Sequence, residues 1–113
     1  RRQMKGQNVV LTLSVLAVTD LQARRFVGLD GKTCGDGAKA LGVVEVDTEA
    51  DNMAPANALG AILVEAGGAI AAGADVQSNA AGQAVAKAAG LSNGIALDAA
   101  TATGDVIRIL RGI

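Results

Sequence analysis

From Val9 to Leu16 the chain alternates. Val9, Leu11, Leu13 and Val15 share one face of an extended segment, and Thr12 and Ser14 fall on the other. The pattern predicts a strand, closed by Thr19-Asp20. Arg24 to Leu29 reads as a second strand, ended at Asp30-Gly31, a pair suited to a turn because glycine tolerates a positive φ. Gly35-Asp36-Gly37 is a further break, and Ala40 to Val46 predicts a third strand with mixed faces. Thr48 to Asn57 is small and polar, holds the only proline, Pro55, and predicts a loop or a single helical turn. Short strands are then expected at Ala61–Glu65, Ala69–Ala71, Asp75–Ser78, Gln83–Ala88, Gly94–Asp98 and Asp105–Leu110, with turns at Gly67-Gly68 and Asn79–Gly82.

Many short strands punctuated every eight to twelve residues predict an all-β fold: a small antiparallel β-sandwich, jelly-roll-like or barrel domain with Gly-rich turns. Alanine favours helix over 49–60 and 80–90, but glycines at 60, 82, 90 and 94 oppose long helices there. A parallel β-solenoid is less favoured, because no strict short repeat is present. A basic arm over residues 1–8, expected to be flexible, precedes a single domain over residues 9–113.

Composition changes the picture in two ways. Half of the 113 residues are apolar, yet many are Ala, and Phe26 is the only aromatic. Large side chains dominate core energetics, so a thin core is expected, with part of the stability supplied by partner chains. The chain also has no His, Trp or Tyr, and one cysteine, Cys34. General acid–base and nucleophilic catalysis lean on those side chains, so the sequence points away from an enzyme. The lone Cys34 excludes an internal disulfide framework and a cysteine-rich metal site. No apolar run approaches the length of a membrane-spanning helix.

Net charge is −1, which gives no electrostatic case for nucleic acid or an anionic membrane. The charges are uneven. Residues 40–86 carry Glu45, Asp47, Glu49, Asp51, Glu65 and Asp75 and no Lys or Arg, whereas the start is basic. A solvated acidic face is the simpler reading, and two surfaces that meet different neighbours the sharper one.

The remaining motifs are weak. Gly35 to Gly42 lacks the spacing of a phosphate loop. Glu45, Asp47, Glu49 and Asp51 would share a strand face and offer oxygen ligands, but the calcium-loop pattern is missing, and a charged strand edge accounts for them. Asp20, Asp98 and Asp105 sit beside turns, where Asp caps backbone N–H groups. Ser14, Ser78 and Ser92 have no His to activate them, and nothing locates a Ser–Lys dyad with Lys32, Lys39 or Lys87. Arg24 and Arg25, adjacent in a strand, would point to opposite faces, so one must meet the core side or a partner. Arg108 and Arg111 flank the last strand and suit an interface in the same way.

The C-terminal half carries a recognisable cadence. It runs Glu65-Ala66-Gly67-Gly68-Ala69-Ile70-Ala71-Ala72-Gly73-Ala74-Asp75-Val76, then Gly94-Ile95-Ala96-Leu97-Asp98-Ala99-Ala100 and Gly104-Asp105-Val106-Ile107-Arg108-Ile109-Leu110. This resembles the small capsid cement (head decoration) proteins of tailed bacteriophages over roughly residues 8 to 111, Leu41-Gly42-Val43-Val44 included. The family's acidic Gly-Asp turn is displaced here at Gly73-Ala74-Asp75. The resemblance implies a compact all-β domain on the outer capsid surface, with no catalytic residues and no cofactor. Its implied partners are the major capsid protein and further copies of itself, as a homodimer or homotrimer. Arg1, Arg2, Lys5, Arg24, Arg25, Phe26, Arg108 and Arg111 are the candidate contact residues, and residues 1–7 the segment expected to drape on a neighbour. A host-surface, tail or fibre binding module is the rival reading, against which the scarcity of aromatics counts.

Overall fold

The computed structural model describes residues 6–112, and these form an all-β domain without helix. Eight strands follow in order: β1 (Asn8–Leu16), β2 (Phe26–Gly28), β3 (Ala40–Val44), β4 (Met53–Glu65), β5 (Val76–Ser78), β6 (Ala84–Ala86), β7 (Ile95–Ala96) and β8 (Val106–Arg111). Six of them make one curled antiparallel sheet, a half-barrel in the order β2-β3-β4-β8-β7, with β1 also paired to β4; β5 and β6 make a separate hairpin.

β4 organises the sheet. Its first half pairs with β1, from Met53 opposite Leu16 to Ala61 opposite Asn8. Its second half pairs with β8, from Gly60 opposite Arg111 to Glu65 opposite Val106. Gly60 and Ala61 therefore carry β1 on one side and β8 on the other. β3 meets the middle of β4 at Ala56 and Asn57.

This corrects the expectation of a loop or helical turn over 48–57. Met53 to Asn57 is strand, continuous with the predicted segment at 61–65. Pro55 is tolerated for a local reason. A strand residue's N–H and C=O point the same way, and the Pro55 carbonyl accepts from Glu45 N at 2.9 Å, where β3 has just ended. The missing donor thus forfeits only the reciprocal bond to Glu45, beyond the end of the β3–β4 ladder, and none to β1. Asn57, polar and 2% exposed, is satisfied on both atoms: its Oδ1 accepts from Thr12 Oγ1 at 2.9 Å, and its Nδ2 donates to Glu45 Oε1 at 2.6 Å.

Successive residues enter two cores, because a strand's side chains alternate. Phe26 and Val43 join the first core with Ile62, Val64, Ile107 and Ile109, while their neighbours Val27 and Val44 join the second with Ala17, Leu21, Ala54 and Ala56. Ile70 enters the first core, but 69–71 is not a strand; Ile70 makes a single bridge to Ala100. The short strand expected at 24–29 is confined to Phe26–Gly28. Half of the buried residues of the second core are alanine, in line with the composition.

β1 is the exception to burial. All of its residues except Val15 are exposed, Val10 to 79% and Leu16 to 52%. Its register on β4 breaks on either side of Leu11 and is regular from Thr12 to Leu16. At the break lies Gly60, with φ +112°; a Cβ there would collide with Asn8 O and stand 2.9 Å from Val10 N.

Candidate interaction surface

Arg24 and Arg25 lie in the turn before β2, not within a strand, and Arg24 takes the left-handed conformation at φ 65°. The twist sends the two guanidiniums to different carboxylates of the same chain. Arg24 Nη1 stands 3.5 Å from Glu45 Oε2, and Arg25 Nη2 stands 3.1 Å from Glu65 Oε2. Each pair sits in a larger cluster.

Around Glu45, Gln7 Nε2 donates to Oε1 at 3.1 Å, and the Gln7 amide oxygen accepts from Leu63 N at 2.9 Å. Burial alone would raise the Glu45 pKa. The hydrogen bonds from Gln7 and Asn57 and the Arg24 charge outweigh it, so the carboxyl sits below the ordinary carboxylate value. Around Glu65, Gln83 Nε2 donates to Oε2 at 2.5 Å, and Arg25 Nη1 donates to Ala81 O at 3.2 Å. The first cluster anchors the chain just before β1, and the second ties the β5–β6 hairpin to β4.

The other candidate contact residues that the structure describes are also engaged within the chain. Phe26 is 1% exposed and serves the first core; it presents no surface in this fold. Arg108 clasps Asp98 bidentately, Nε to Oδ2 and Nη2 to Oδ1, both at 3.0 Å, and that hydrogen bonding raises its pKa. Arg111 is half-buried. Its Nε donates to Ala58 O and its Nη2 to Ala40 O, each at 2.9 Å, and desolvation lowers its pKa. Its Nη1 is buried without a partner. Arg1, Arg2 and Lys5 lie outside the described residues.

The acidic run takes no strand face. Glu45 to Asn52 is a bent connection, in which Asp47 accepts from Ala23 N and Asp20 accepts from Ala50 N. Asp105 Oδ2 caps its turn through Thr101 N and Ala102 N. Cys34 is buried, which pushes its thiol pKa up, and its Sγ lies 3.4 Å from Ala38 O.

The described residues line clefts on the surface, two of which carry polar side chains. The larger, of about 390 Å³, is lined by Lys39, Asp75, Ser92, Asn93 and Arg111 among others. Lys39 Nζ reaches the backbone carbonyl of Ser92 at 2.9 Å, while the Ser92 hydroxyl donates to Gly94 O at 3.3 Å, so lysine and hydroxyl do not form a base–nucleophile pair. The smaller cleft borders Gly28, Asp30 and Cys34. No group of three or more metal-ligating side chains converges among the described residues. The surface left open is apolar instead. Val9, Leu11 and Leu13 of β1 lie beside Leu59 of β4, all between 36% and 40% exposed. Alternation in the sequence located that stripe; only the fold reveals that the described residues leave it partly exposed.

A small, antiparallel, all-β domain is thus defined, whose polar side chains mostly brace its own loops. Comparison with known proteins makes the class specific. The chain belongs to the phage cement protein family, which it matches over residues 4–111. Its fold is shared with the crystal structure of the head fiber gp8.5 N base of bacteriophage phi29, at a TM-score of 0.73 and 20% identity, covering 90% of this chain and 93% of that one. No curated protein matches.

Proposed function

We propose that this structural virion protein binds the outer surface of the phage capsid and cements neighbouring major-capsid subunits, so that the head resists the pressure of packaged DNA. The observation that carries the reading is the family match over residues 4–111. The geometry is compatible with it: a braced, catalytically unequipped scaffold with an open apolar stripe suits adhesion. The mechanism is physical. Each copy buries a modest patch on adjacent subunits, and linking several such patches turns weak contacts into a durable staple. No catalytic step, cofactor or nucleic acid is required.

The basic segment over residues 1–5 is the part we assign to contact with a neighbouring subunit. A truncation that tests it should begin at Gly6, because Gln7 is needed by Glu45 and Leu63. A second reading draws on the phi29 fold: a base that seats a fibre on the head. Copy number in gradient-purified particles separates the two. Near-stoichiometric abundance relative to the major capsid protein is expected for a cement, with particles lacking it bursting at lower temperature. A few copies per particle would favour the fibre reading.

A further inference from the structure

Three segments meet where β1 ends. Leu16 lies opposite Met53 across the β1–β4 ladder. Just beyond, Ala17 N donates to Asn52 O at 2.9 Å, and Ala17 O accepts from Asp51 N at 2.7 Å. The turn after β2 closes on the same corner, where Gly31 O accepts from Val18 N at 3.0 Å. Four large apolar side chains stand out from it: Leu16 is 52% exposed, Val18 49%, Leu29 74% and Met53 59%. Each is more exposed than any member of the stripe formed by Val9, Leu11, Leu13 and Leu59. The charges on the three segments are mostly acidic. Asp20, Asp30, Glu49 and Asp51 are exposed, and Lys32 is the one cation within residues 16–20, 28–32 and 49–53. None of the four carboxylates has an ion pair among the described residues. Asp20 and Asp30 each accept a backbone N–H, from Ala50 and Lys32 respectively.

We propose that this corner receives a segment of the major capsid subunit in which apolar residues are flanked by Lys or Arg. Exposed apolar patches with a polar rim mark interaction sites, and the rim charges choose the partner. Four carboxylates against one ammonium repel DNA, an anionic lipid surface and the same corner of a second copy. A purely basic segment would leave Leu16, Val18, Leu29 and Met53 in water. A purely apolar one would desolvate the carboxylates without pairing them. A basic, apolar segment meets both demands. The proposal rests on the capsid-binding reading above and gives that contact a place and a chemistry.

Binding of the full chain to purified heads that lack it tests the proposal, with Leu29→Ser, Glu49→Lys and Val10→Ser beside the unmodified protein. Leu29 and Glu49 are exposed, so neither change disturbs a core. Each should weaken binding about 10-fold. Val10, 79% exposed but outside the corner, is the control, and Val10→Ser should leave affinity unchanged. Added salt should weaken binding of the unmodified chain, and should do so less for Glu49→Lys. Hydrogen exchange on the unmodified chain needs no variant: amides within 28–32 and 49–53 should gain protection on the heads. An unmodified chain that does not bind heads would overturn the capsid-binding reading and this assignment with it. Binding indifferent to both Leu29→Ser and Glu49→Lys, or protection confined to other segments, would overturn the corner alone. So would self-association in solution that Glu49→Lys abolishes, which would give the corner to a second copy.

Discussion

Phe26 is the one aromatic side chain, and the first core is otherwise Ile, Val, Ala and Cys34. Little else can fill the space it occupies. Phe26→Ala should cost about 3–5 kcal/mol, a large share of a small domain's stability, read as a fall in the urea midpoint. Glu45 makes a different kind of prediction. Its pKa is lower in the fold than in the unfolded chain, so its charge stabilises the fold above the unfolded value, and the contribution fades as pH falls through the folded value. Glu45→Gln should therefore melt below the parent at pH 7, and the two melting curves should converge towards pH 3. The residue-level roles were unevenly legible. Turn capping by aspartate is local chemistry, and Asp105 does what its neighbours in sequence suggest, whereas Asp20 accepts from Ala50 N, 30 positions away. Arg24 and Arg25 bond carboxylates some 20 to 40 positions away, and a left-handed Arg24 has no local signature.

At the scale of elements, β1 and β8 were readable because alternation and β-branched residues mark them in isolation. β4 was not, because its first half carries Pro55 and Asn57, residues that ordinarily end strands. Both are accommodated by partners remote in sequence: Pro55 by the end of β3, Asn57 by Thr12 and Glu45. The acidic run failed in the opposite sense, having strand periodicity without strand pairing. Gly60 is where β1 and β4 are most exacting. An L side chain is strained at its φ and would also strike the Asn8 carbonyl. Gly60→Ala should destabilise by more than about 1 kcal/mol. The loss should concentrate on β1, as faster amide exchange from Asn8 to Leu11 than in β8.

For the whole molecule, β1 and β8 flank β4 on opposite sides and run parallel to one another, so Asn8 and Arg111 both lie next to the Gly60–Ala61 step. Two strands that share a neighbour stand roughly 10 Å apart, within reach of a linker of a few residues. The order in which the chain visits its strands is therefore separable from the sheet it builds. Joining 112 to 6 and reopening the chain at Gly73, an exposed turn glycine with open space around it, would leave every ladder of the sheet intact. Such a circular permutant would have its free ends in the loop before the β5–β6 hairpin, and a peptide fused there would be displayed from that loop.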